Sequence, residues 1–440
     1  MGDPAAMQES SNTESPDASL REPERATPTA PRILIGGAPF GPNHLGNEAS
    51  LESVVHIIRE ISPESEIYAC TSAARETEKR LGIMTQSPIG FSNAPISSAQ
   101  TGDVLKRCDV FVWIGSTGCF ADPEIPLQLL ETAQQFQIPS FVFCADLTPQ
   151  IHHTFFPPQS KSQRTLFNTV KFLSAGIMDL DKDRQNTRNT TIRKTLEEVI
   201  PNASFVATRD RQDKIELEEI LEPSPSIHLG TDPAIALSCP DLDTCRFPKQ
   251  TKDFIEQTGI KIGICFEKSS ENHWLTELVP LLKTLIDKYQ ARFVGIPMQA
   301  DSHRSNLEEI QHKLLSLDSM HILPSGYDPD EIAAAVSRLD LVLSDQRDLL
   351  VLASITLTPF LGIGGGPRVS NFTHQFNLPD FSNAEQHNVD DLRKEIEALL
   401  NNREAFRKRA KAVRIELLTR LKGVKEQLRI ALKTLNVERP

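Results

Sequence analysis

The sequence predicts an α/β protein of two doubly wound domains facing each other across a cleft, followed by C-terminal helices. Three observations carry this. Short β-rich runs alternate with helical runs, the signature of a parallel sheet covered by helices on both faces. The alternation comes in two separate series. At 440 residues with 39% apolar content, the chain also exceeds one compact core.

The opening segment, residues 1–31, is rich in Pro, Ser, Glu and Ala, with almost no large apolar side chains. It cannot bury enough surface to offset its ordering entropy, and disorder is expected there. The first domain is expected over residues 32–246. Its strands read RILIGG, SEIYAC, DVFVWIG, SFVFCAD and SFVATRD, with a helix through SLESVVHIIREI after the first. The segment TFFPPQSKSQ breaks this rhythm at residues 154–163, and the polar stretch Lys161 to Pro201 reads as a mostly helical excursion. After the loop CPDLDTCRFPKQ, the second domain, residues 247–385, runs through IKIGICF, a helix from about Trp274 to Lys288, RFVGIPM, MHILPS, LDLVLSD and PFLGIG. The run DPDE after Tyr327 places a capping Asp, a Pro at the first helical position and a Glu at the third. In the tail, residues 386–440, apolar side chains recur near the 3.6 period from Val389 to Leu435, and Asn401 and Asn402 divide it into two helices. Its many charges are a solvated face.

A net charge of −12 argues against wrapping in nucleic acid or lying on anionic lipid, both of which require a basic surface. Seven cysteines with no C-x-x-C pair sit mainly in apolar runs, as reduced thiols of a cytoplasmic protein would. No apolar run approaches the roughly 20 residues that span a bilayer, and no secretory signal pattern is present. His152 and His153 are adjacent, which is not ligand spacing on a helix face, and no metal or cofactor is expected.

Five loops at strand ends are candidates for chemistry. GGAPFGPNHLGN, Gly36 to Asn47, combines close backbone approach with a helix N-terminus; it also reads as an ordinary tight turn. WIGSTGCFAD offers Gly115, Ser116 and Thr117 to a hydroxyl. VATRD ends a strand in Arg209 and Asp210, which as a pair would tie the loop; HLGTDPA ends one in Asp232, where Asp more often shapes a turn. The stretch DLVLSDQRDLLVLASITLTPFLGIGGG, Asp340 to Gly366, reads strand, turn, helix, strand, glycines, with Arg347 and Asp348 at the turn. Gly364 to Gly366 read as a phosphate nest or as a flexible turn.

In this order the five pieces resemble the polysaccharide pyruvyl transferase family, over about Arg32 to Pro379. The resemblance implies two Rossmann-like domains of the GT-B-like kind, an active site between them, and transfer of the enolpyruvyl part of phosphoenolpyruvate to a sugar. The partners implied are a carbohydrate acceptor and a small anionic donor. A donor with a carboxylate and a phosphate wants guanidinium groups that grip oxygens in pairs. The resemblance assigns this to Arg209, Arg347 and Arg368, with Gly364 and Gly365, and leaves Gly46, Asn47, Gly115, Ser116, Thr117 and Asp232 for the acceptor side. The chain departs from the family at its Arg-Leu-His motif: with Ala353 on the family's alanine, Gln346, Arg347 and Asp348 occupy the three positions. Asp348 then serves as base, and His44 or His374 supplies the acid. Two alternatives remain open: a nucleotide-sugar glycosyltransferase of the same architecture, and a catalytically inactive sugar-binding relative in which Arg347 and Asp348 form a salt-linked helix start.

Overall fold

Two wholly parallel sheets organise the chain in a computed structural model that describes residues 30–41, 44–87, 98–115, 124–145, 180–221, 225–267, 274–314, 317–383 and 388–437. The first sheet holds β1 (Arg32–Phe40), β2 (Glu66–Thr71), β3 (Met84–Gln86), β4 (Val110–Trp113), β5 (Ser140–Ala145), β6 (Phe205–Thr208) and β7 (Ile227–Leu229) in the order β3-β2-β1-β4-β5-β6-β7. Around it lie α1 (Leu45–Ile61), α2 (Ala74–Leu81), α3 (Ser98–Leu105), α4 (Glu124–Gln135), α5 (Leu180–Val199) and α6 (Arg211–Ile220). The second sheet holds β8 (Lys261–Cys265), β9 (Arg292–Gly295), β10 (Met320–Ile322), β11 (Leu341–Ser344) and β12 (Phe360–Gly362) in the order β10-β9-β8-β11-β12. Its helices are α7 (Lys249–Glu256), α8 (Trp274–Tyr289), α9 (Ala300–Leu314), α10 (Pro329–Ser337), α11 (Arg347–Ile355) and α12 (Gly366–His374), and the tail forms α13 (Val389–Asn401) and α14 (Arg403–Val437).

Strands covered on both faces need continuous apolar runs, and β5 and β11 are buried at every position. In each sheet the strand order reverses once, between β1 and β4 and between β8 and β11. Such reversals open a crevice at the carboxyl ends of the strands, where α/β folds take ligands. The expected disorder at 1–31 falls outside the described residues apart from Ala30 and Pro31, as do the break at 154–163 and the first part of the excursion; α5 is its described helix. Five of the six described cysteines are buried. No described helix is long and apolar enough to cross a membrane.

The tail divides at Asn402, the C-cap of α13. Helix α14 then returns to the first sheet: Val424 lies 3.4 Å from where a Cβ on Gly230 would sit, and Lys425 pairs with Glu60. Its first turns hold the second sheet through Phe406, edge-on to Phe360 at 5.4 Å. Phe360 also packs on Phe372 and Phe376, so one buried ring joins β12, α12 and α14. Phe360→Ala is expected to lower stability by about 3–5 kcal/mol in a denaturant melt, whereas Ile415→Ala, at an exposed position on α14, changes it by less than about 0.5 kcal/mol.

Candidate active site

The site grows from turns at strand ends. Asp210 caps α6 in extended conformation, its side chain accepting from the Asp213 amide at 2.9 Å. Arg209, the residue before it, turns inward: its Nε donates to the Cys144 carbonyl at 3.2 Å, and its NH1 lies 3.3 Å from Asp232 Oδ2. The loop pairing of Arg209 with Asp210 is therefore replaced by a long-range one. Asp232 caps a short 3-10 turn, Pro233–Ala236; its Oδ1 accepts from the Ala234 amide at 3.0 Å and from Ser50 of α1 at 3.2 Å.

From the other sheet, Arg347 in the first turn of α11 brings its NH2 to 3.8 Å from the same Asp232 Oδ2. Arg209, Asp232 and Arg347 are only 2%, 3% and 6% exposed, so a buried carboxylate is gripped from both domains at once. Burial pushes the Asp232 carboxyl up, but Arg209, Arg347, the Ala234 amide and Ser50 outweigh it and hold it below the usual range. The Arg347 guanidinium lies 5.8 Å above the Phe372 ring, and its buried Nε has no hydrogen-bond partner among the described residues.

Asp348 points elsewhere. A Cβ on Gly46 would sit 1.8 Å from Asp348 Oδ2 and 2.5 Å from Asp348 Cβ, so only glycine lets the start of α1 meet the start of α11. The partly exposed Asp348 carboxyl is raised, first by burial and then by Asp232, against the pull of Arg368, Arg209 and Arg347. Arg368, in the first turn of α12, thus joins the other two arginines around one pair of carboxylates. The salt-linked helix start is not what forms: Arg347 pairs with Asp232, and Asp348 faces Gly46.

The remaining candidates divide. Asn47 donates to the Pro39 carbonyl at 3.0 Å, and a Cβ on Gly115 would sit 3.1 Å from Asn47 Oδ1, so these two line the first sheet's crevice together. Ser116 and Thr117 lie outside the described residues. Gly364 and Gly366 donate their amides to the Phe381 and Ser382 carbonyls at 2.9 and 3.3 Å, which ties the glycine run to the chain beyond α12. Gly365 has positive φ, and a Cβ there would sit 2.3 Å from the Asp345 carbonyl oxygen. His44 precedes α1, half-buried, and burial lowers its pKa. His374 sits at the far end of α12, about 12 Å along the helix, where it faces Asp380 at 3.8 Å; it is not part of the constellation.

Two features escaped the sequence reading. Arg80 of α2 pairs with Glu48 and Glu52 of α1 and reaches Asp328, the cap of α10, at 3.5 Å; Arg246 pairs with Asp328 at 2.7 Å and with Glu331. This network ties the two domains beside the site. The second is Asp345, two residues before Arg347, whose carboxyl is pushed up to about 7 by burial. By contrast Cys265 and His303, 3.3 Å apart, are a buried neutral pair: burial pushes the thiol well up and the imidazole down to about 4.

Solved structures with this architecture place the chain in the GT-B-like class. UDP-GlcNAc 2-epimerase from Neisseria meningitidis, bound to UDP-GlcNAc, superposes with a TM-score of 0.59 at 13% identity, covering 92% of this chain and 100% of that one. The S. aureus MnaA structure with UDP gives 0.58 at 12%, covering 87% and 91%, and Anabaena HepE with UDP-glucose gives 0.55 at 11%, covering 90% and 99%. At such identity the likeness establishes the fold. No curated protein matches the chain in sequence. Within the class, residues 44–366 match the polysaccharide pyruvyl transferase family, and the chain belongs to it.

Gly46→Ala is expected to destabilise the protein by about 1–3 kcal/mol through overpacking, and Asp348→Gly to relieve most of that in the double variant; additive effects in the melt would contradict the contact. Burial pushes Glu52 up to about 7 against the pull of Arg80, so the folded state holds its proton more tightly than the unfolded one. Its contribution is fully present below about pH 4.5 and is lost as pH rises toward 7. Stability measured across that window therefore falls in the native protein and falls less in Glu52→Gln.

Proposed function

We propose that the protein transfers the pyruvyl unit of phosphoenolpyruvate to a carbohydrate, forming a pyruvate ketal. The observation that carries this reading is the meeting of Arg209 and Arg347 on Asp232 from the two domains, with Arg368 alongside. Three guanidinium groups face two carboxylates, Asp232 and Asp348. The local excess of positive charge suits a donor carrying roughly two to three negative charges. Arg347, with a buried N–H still to be satisfied, and Arg368 hold donor oxygens; Arg209 fixes Asp232 and through it the position of Arg347. Asp348, whose raised pKa makes it a stronger base than an ordinary carboxylate, takes the proton of the attacking hydroxyl. A ketal needs two hydroxyls, so the acceptor is a sugar with a diol free.

Family membership supports the reaction class. A second reading, transfer from a nucleotide sugar, draws on neighbours solved with UDP or UDP-sugars. It wants a carboxylate near the glycine turn to hold a ribose, and Asp380, the nearest downstream, already accepts from Ser370 and from the Ser382 amide at 2.8 Å each.

With phosphoenolpyruvate and methyl hexopyranosides bearing a free 4,6-diol, the native protein is expected to release inorganic phosphate. Arg347→Lys, which keeps the charge but loses the paired grip, and Arg209→Ala are each expected to lower that rate by about 100-fold or more. Unchanged turnover in both folded variants would refute the assignment.

A further inference from the structure

Asp345 has no part in the constellation above, yet it stands where the second sheet's crevice opens. It is the first residue beyond β11, and β11 and β8 are the neighbours between which the strand order reverses. Its carboxylate spans that reversal: Oδ2 accepts from the Glu267 amide beyond β8 at 2.8 Å, and Oδ1 accepts from the Gln346 side chain at 2.7 Å. The Ser344 hydroxyl, donating to the Cys265 carbonyl at 2.7 Å, braces the same two strand ends from below. The Asp345 carbonyl oxygen lies 2.3 Å from where a Cβ on Gly365, the cap of α12 and three residues before Arg368, would sit. Asp345 thus lies at the strand end two residues before Arg347, with its backbone against the glycine turn, and remains partly exposed.

We propose that Asp345 is the acid that delivers a proton to the methylene carbon of the donor. The inference rests on the phosphoenolpyruvate reading above. In the step, the C2=C3 electron pair takes the Asp345 proton, making the methyl group, and the acceptor hydroxyl oxygen bonds to C2 while its proton passes to Asp348. The C2–O bond to phosphate then breaks with its electron pair going to phosphate, and the second hydroxyl closes the ketal, its proton leaving on the phosphate. The proton on Asp348 returns to Asp345, so both carboxyl groups end as they began. A structural tie alone does not need a carboxylic acid, because an amide oxygen would accept from the Glu267 amide equally well. Burial, with the Glu267 charge behind it, keeps the Asp345 carboxyl near 7, poised to hold and give a proton at neutral pH. The groups facing it are Glu267 and the neutral Cys265 thiol on the β8 side, and Gln346 on its own turn.

The test is an infrared titration of the protonated carboxyl band, in native protein and in Asp345→Asn, with and without phosphoenolpyruvate. A band present in the native protein, lost near pH 7, absent from the variant and moved to higher pH by about one unit or more when the anionic donor binds supports the proposal. Phosphoenolpyruvate that binds, as calorimetry reads, while leaving the band unmoved overturns it and leaves the functional reading standing. Absence of binding fails the functional reading itself and this proposal with it. Where turnover is measurable, Asp345→Asn is expected to lose about 100-fold or more in rate with donor affinity changed by less than threefold; a rate within threefold of native also overturns the assignment.

Discussion

One buried carboxylate joins the two halves of this protein. Asp232 belongs to the first sheet by its turn and to the second by its partner, because Arg347 reaches it from α11 while Arg209 holds it from β6. Removing either arginine would leave the carboxylate with a single guanidinium partner in a water-poor interior. The ends of α1 and α11 can approach that closely only because residue 46 has no side chain. The geometry of the cleft follows from these two constraints, one electrostatic and one steric.

A buried ion pair is weak evidence for stability, since a well-packed apolar substitute often does as well. Its presence between domains is better understood as a device for placing charge. Asp232 fixes where the Arg209 and Arg347 guanidinium groups sit. Carboxylates nearby respond to the same field in opposite directions: Asp232, surrounded by guanidinium groups and amides, is held ionised, while Asp348 and Asp345, with burial dominant, are drawn toward their neutral forms.

Much of the fold was legible because parallel strands buried on both faces must be nearly continuous apolar runs, and SFVFCA and LVLS are such runs. The capping box at Asp328 and Glu331 and the division of the tail at Asn402 were legible for a related reason: each is local chemistry within four residues. The site was legible only as a set of loops. Arg209 sits beside Asp210 in sequence but pairs with Asp232, and Arg347 sits beside Asp348 but turns away from it, because burial selects partners across the fold rather than along the chain. His44 could be placed at a helix start, yet the lowering of its pKa depends on burial that no local pattern reveals. Asp345 lay in plain view in SDQRD and was passed over, since its distinction is the reversal of strand order beneath it.

The central claim is that arginines from two lobes gather around a small, multiply charged donor. Calorimetric titration of phosphoenolpyruvate into the native protein without acceptor, at low and high salt and in competition with UDP, addresses it most directly. The account predicts saturable binding that weakens as salt rises and is not displaced by UDP. Saturable binding of UDP with no heat from phosphoenolpyruvate would contradict it.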